Sequence, residues 1–163
     1  MNIHSDFEEF LKLLGDLRVE YVLVGGYAVA FYGYVRATYD MDVLFRNTPE
    51  NVKRVCQALE AFGIPQRSLD PTSFAEPGSI LRLGVPPTRI ELLNRISGVA
   101  FDAVWRRRVP GHYGKVPVQF ISRRDLVTNK KAAGRPKDLA DVDELGGRLT
   151  FRKRPTRGKK PRS

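Results

Sequence analysis

Asp40-Met-Asp42 is the spacing in this chain best suited to chemistry. Side chains alternate along a strand, so two aspartates separated by one residue point to the same side. Carboxylates fanned onto one face suit a hard divalent cation that carries a phosphate. Just ahead, Arg36-Ala-Thr38 adds a planar donor fork and a hydroxyl, close enough to touch a phosphate or to fix the aspartate loop. Gly25 and Gly26 complete the set. Glycines let backbone N–H groups approach an anion, and the start of a helix adds partial positive charge there. The bland alternative is an αβ hairpin whose exposed aspartates only keep a strand soluble.

The surrounding elements must hold these residues in place. Tyr21 to Val24 is a short apolar, β-branched run, so a strand is expected over 19–24. Tyr-Ala-Val-Ala-Phe-Tyr after the glycines predicts a helix over 27–33, and Met-Asp-Val-Leu-Phe a strand over 41–46. Ahead of them, Phe7, Phe10, Leu11, Leu14 and Leu17 recur at helical spacing. Ser5, with Glu8 three residues on, reads as a capping box there. Thr48-Pro49-Glu50 opens a helix through Phe62, with Thr48 as cap. Residues 63–78 read as loop, 79–85 and 89–94 as strands, 101–107 as a short helix carrying Trp105. Gly114-Lys115 marks a hairpin turn between strands 109–113 and 116–121. Ser122 caps a helix that Gly134 ends, and Pro136 suits the start of another.

Taken in order, the glycine pair, short helix and acidic-hydrophobic-acidic triplet resemble the DNA polymerase β-type nucleotidyltransferase superfamily. Gly25-Gly26-x-Ala28 with Arg36-x-Thr38-x-Asp40-x-Asp42 looks like its AbiEii-type branch and that branch's aminoglycoside- and lincosamide-modifying relatives. Asn129-Lys130, Ala132, Gly134-Arg135, Lys137-Asp138 and Asp141 are similar to the branch's C-terminal helical pair. The resemblance implies an α/β (α+β) nucleotidyltransferase fold: a small mixed sheet, helices on one side, and a C-terminal helical pair closing the cleft.

It also implies roles. Asp40, Asp42 and Glu91 are the expected catalytic and metal-binding carboxylates, holding two magnesium ions, with manganese as an alternative. Glu91 stands where relatives commonly carry aspartate, and its alternative is pairing with Arg89 or Lys130. Gly25, Gly26, Arg36, Thr38 and Lys130 are the expected nucleotide contacts; a salt bridge to Asp138 or Asp141 is the other reading of Lys130. Arg135 and Asp138 are expected as a structural cap between the last two helices. The implied reaction moves a nucleoside monophosphate from a magnesium-bound nucleoside triphosphate to an acceptor hydroxyl. An RNA such as tRNA, in a toxin–antitoxin setting with an antitoxin or partner subunit, is the favoured context. An antibiotic-type small molecule is the alternative acceptor, and a non-catalytic nucleotide-binding regulatory module the rival reading.

Composition sets the frame. A chain of 163 residues fits one folded domain, expected over 1–147, with a basic disordered tail over 148–163. The net charge is +10, and the tail carries eight Lys or Arg and no acid. It is either a polyelectrolyte arm that holds RNA or DNA phosphates by counterion release or a solubilising extension. Cys56 is the only cysteine, so no internal disulfide can form and a cytoplasmic, reducing interior is the simplest home. With two histidines far apart, a zinc site is not expected. No apolar run reaches the length of a membrane span.

Overall fold

The computed structural model describes residues 3–38 and 40–150, the last four by backbone alone. Six strands form one mixed sheet in the order β3-β4-β2-β1-β6-β5. They are β1 (Tyr21–Val24), β2 (Asp40–Phe45), β3 (Ile80–Leu83), β4 (Arg89–Leu93), β5 (Val109–Tyr113) and β6 (Val116–Phe120). β1 runs antiparallel to β2 and parallel to β6, and β2 runs parallel to β4. The hairpin neighbours β3/β4 and β5/β6 are antiparallel. The fold class expected from the sequence is the one observed.

All four β1 residues are buried, so the centre of the sheet is covered on both faces rather than on one. Helix α1 (Ser5–Asp16) supplies Phe7, Phe10, Leu11 and Leu14, all fully buried. Each contributes roughly 1.5–3 kcal/mol on leaving water. The expected Ser5 cap is absent: the helix begins at Ser5 itself, behind His4, with no side-chain cap. His4 instead donates its backbone N–H to the Tyr113 hydroxyl at 2.8 Å, anchoring the helix start to β5. Helix α3 (Pro49–Phe62) has the expected bounds, Thr48 accepting from the Asn51 N–H and Gly63 closing it in the left-handed conformation. Within 63–78, read as loop, lies a further helix, α4 (Pro71–Ala75), capped by Asp70. The short α5 (Phe101–Arg106) precedes β5.

Helices α2 (Gly25–Phe31), α6 (Arg123–Ala133) and α7 (Pro136–Thr150) frame the site. Ser122 caps α6 as expected, and Gly134 at φ +67° ends it. α7 runs to Thr150, past the expected start of the tail at 148. Residues 151–163 of that tail lie outside the described residues. Among the described residues no helix is long and apolar enough to cross a membrane.

Candidate active site

Strand register builds the floor. Asp42 lies opposite Val24 on one side and Glu91 on the other, and Asp40 lies opposite Arg89. Alternation then puts Asp40 and Asp42, Arg89 and Glu91, and Arg82 of β3 on one face. The residues between them, Met41, Val43, Ile90 and Leu92, point into the core. The three carboxylates expected together are therefore together.

Gly25 follows Val24 and so reaches the level of Asp42. Its φ is +67°, and a Cβ there would stand 2.0 Å from Asp42 Oδ2. Glycine is required twice, by the backbone and by the carboxylate pressed against it. A Cβ on Gly26 would stand 2.5 Å from Thr38 Oγ1. The glycine turn, the Arg36–Thr38 loop and the aspartate strand thus meet at one corner. The glycines belong to the first turn of α2 rather than preceding it, because the positive φ of Gly25 brings the chain straight from strand into helix.

The floor carries crowded negative charge. The Asp42 carboxyl is pushed up to about 7, first by burial, then by its hydrogen bond with Glu91 and repulsion from Glu91 and Asp40. Lys130 opposes that rise. Arg89 clamps Asp40, donating from Nε to Oδ1 at 2.7 Å and from Nη2 to Oδ2 at 2.9 Å. The same guanidinium stands 3.7 Å from Glu91 Oε1, and Arg82 Nε donates to that oxygen at 2.9 Å. The Glu91–Arg89 pairing weighed in the sequence is thus present, with Arg82 as a stronger partner.

The facing wall has a different balance. Lys130 is 4% exposed, with Nζ 3.2 Å from Asp138 Oδ1 and 3.1 Å from Asp141 Oδ2. Arg36 donates from Nε and Nη2 to the two Asp141 oxygens, both at 2.9 Å. Arg135 Nε donates to Asp138 Oδ2 at 2.7 Å, making the expected cap. Burial raises the carboxyls of Asp138 and Asp141, but these donors outweigh it and hold both below the ordinary value. Of the two readings of Lys130, the salt bridge is the one formed. Arg36, expected at a phosphate, lines the cleft with its fork engaged by Asp141.

Floor and wall enclose a cleft of about 830 Å³. Seven Lys or Arg side chains line it against four carboxylates, an excess suited to a polyanion. Among the described residues no group of three His, Cys, Asp or Glu stands as a ready metal cage. The donor chemistry of the floor still fits a hard divalent cation: oxygen ligands only, with Asp42 buried and crowded by Glu91 and Asp40. What stands in the way is Arg89, which occupies both oxygens of Asp40.

Arg82 and Arg89 escaped the sequence reading as site residues. Arg89 carried a usable signal, sitting two residues before Glu91 and hence on its face. Arg82 carried none, because its place beside Glu91 comes from β3/β4 register.

The fold is similar to that of the lincosamide antibiotic adenylyltransferase LnuA in its lincomycin-bound crystal structure. The TM-score is 0.58 at 16% identity, covering 90% of this chain and 98% of that one. An antigenic nucleotidyltransferase-like protein from Paracoccidioides brasiliensis matches at TM-score 0.46 and 19% identity, over 88% of this chain and 77% of that one. No curated protein matches the sequence. Residues 2–147, which contain every residue of the floor and the facing wall, match the family described as "Nucleotidyltransferase of unknown function (DUF6036)", and the chain belongs to that nucleotidyltransferase family.

Proposed function

We propose that the chain transfers a nucleoside monophosphate from a nucleoside triphosphate to an acceptor hydroxyl. The observation that carries this reading is the register that sets Asp40, Asp42 and Glu91 side by side beneath Gly25. Asp40 and Asp42 would hold magnesium, or manganese, as two ions, with Glu91 completing the one nearer the acceptor. Bound there, the cations supply charge neutralisation for an in-line displacement at the α-phosphorus. In that displacement the acceptor oxygen forms a bond to phosphorus, and the bond to the β-phosphate bridging oxygen breaks to release pyrophosphate. Glu91, adjoining the acceptor side, favours loss of the hydroxyl proton. Gly25 and Gly26 offer backbone N–H groups to the β- and γ-phosphates, and Thr38 fixes the turn beside them. Lys130 and Arg36 hold the α6–α7 wall and add positive potential to the nucleotide subsite.

The excess of cations in the cleft favours an anionic acceptor, and the basic segment 148–163 points the same way. RNA such as tRNA is therefore the acceptor we favour, in the cytoplasm. An AbiEii-type kinship would add an antitoxin or partner subunit. A small-molecule acceptor is the second reading, because the lincosamide adenylyltransferase is covered by this fold over 98% of its length. Incubation with α-labelled triphosphates and either total tRNA or a panel of lincosamides and aminoglycosides decides between them. Label in tRNA supports the first reading, label in a drug the second. Nucleotide binding without transfer to any acceptor means a regulatory module.

A further inference from the structure

We propose that Arg89 is an exchange residue that makes the cleft a receptor for the cation–triphosphate complex rather than for the bare cation. This rests on the nucleotidyl-transfer reading above. Asp40 is the carboxylate of the floor with both oxygens taken, each accepting from the planar fork of Arg89 at 2.7 and 2.9 Å. The pair is built by register, since Arg89 lies directly opposite Asp40 on the neighbouring strand. Arg89 is about 30% exposed at the side chain and opens onto the cleft, so its guanidinium can turn without disturbing the core.

A cation seated on Asp40 competes with the fork, because it draws on the charge that the guanidinium already neutralises and stands beside a like charge. A bare cation must therefore break a bidentate, charge-assisted pair and leave a guanidinium beside an ion of like charge. A triphosphate arriving with the cation changes this balance. Arg89 then exchanges the Asp40 carboxylate for a phosphate oxygen, which accepts the same two-pronged donation. Glu91, 3.7 Å from Nη2, keeps the freed guanidinium at the floor of the cleft. Coupling of this kind is reciprocal: the nucleotide tightens the cation as much as the cation tightens the nucleotide.

The test measures Mn²⁺ binding by electron paramagnetic resonance on the full chain, alone and with α,β-methylene ATP, which cannot release pyrophosphate. Arg89→Gln should bind bare Mn²⁺ about ten- to a hundredfold more tightly than the parent, the scale of one released charge-assisted pair. The same variant should bind the Mn²⁺–analogue complex no better than the parent, because it lacks the phosphate contact. Arg89→Lys, which keeps the charge but not the fork, should fall between them. A thermal melt confirms that each variant is folded. Equal or weaker Mn²⁺ binding by a folded Arg89→Gln, with the parent still binding the complex, would overturn the exchange role and leave nucleotidyl transfer standing. A parent that binds neither Mn²⁺ nor the complex would remove both.

Discussion

Asp42 on the sheet floor and the Asp138–Asp141 pair of the helical wall lie in environments that push their carboxyls in opposite directions. On the sheet floor Asp42 is pushed up to about 7, first by burial and then by Glu91 and Asp40. On the helical wall Asp138 and Asp141 are buried too, yet both are held below the ordinary value. Burial raises all three carboxyls, and on the wall the donors outweigh it. Each wall aspartate shares buried Lys130 and has an arginine fork of its own, from Arg135 or Arg36. Asp42 has only the distant pull of Lys130 against two neighbouring acids. The wall carboxylates are fully compensated, whereas Asp42 alone of the floor carboxylates lacks an arginine partner. In the proposed reaction the chemistry belongs to the sheet, and the helical pair is its frame.

Breaking the wall should have the largest effect. Lys130→Met would leave two buried aspartates without their shared cation, and a loss of about 3–5 kcal/mol is expected for a buried pair broken on one side. Chemical denaturation measures it. A loss below about 1 kcal/mol would mean that the wall is not electrostatically closed. Gly25→Ala comes next, because it forces an alanine into φ +67° and drives its Cβ onto Asp42. Roughly 1–3 kcal/mol of strain is expected, together with weaker binding of the cation–nucleotide complex, by denaturation and calorimetry.

Opposite signs sharpen the comparison further. Asp138→Asn should destabilise by about 1–3 kcal/mol, since it weakens charge-assisted bonds to Lys130 and Arg135. Asp42→Asn should stabilise the protein without added cation, on the order of 1 kcal/mol, by removing a carboxylate that resists ionisation. The pH profile separates Asp42 from the wall pair in the same way. A depressed carboxyl adds stability present above its unfolded value, and that stability is lost as pH falls through the folded value. Asp138 and Asp141 therefore weaken the fold on acidification. A raised carboxyl has the reverse sign, so Asp42 makes stability decline as pH rises from about 4 toward about 7. Melting curves across pH should show Asp138→Asn flattening the acidic limb and Asp42→Asn the neutral one.

What could be read from the sequence was local or periodic. Helix α3 matched at both ends because Thr48, Pro49 and Gly63 carry their instructions within a turn of the boundary. Asp40, Asp42 and Glu91 could be grouped because strand alternation and the family resemblance agree. Features that depend on distant partners were not legible. Ser5 had the composition of a cap, but the Tyr113 hydroxyl, contributed from the far edge strand, ties down His4 instead. α4 was missed although Asp70-Pro71 is a fair helix start, because its five residues give no periodicity to detect. Arg36 suited a phosphate by chemistry, but only the packing of α7 beside its loop brings Asp141 within reach. Arg82 needed the β3/β4 register before it could be seen at Glu91.

In the proposed reaction the floor carboxylates, and not the wall, take up a cation with a nucleoside triphosphate. Calorimetry with magnesium and each nucleoside triphosphate tests it on the parent and on the Asp40→Ala/Asp42→Ala double variant. Saturable binding is expected of the parent only when the cation and the nucleotide are both present, and none of the double variant, which should remain folded on its intact α6–α7 wall. Equal binding by the two proteins would contradict it.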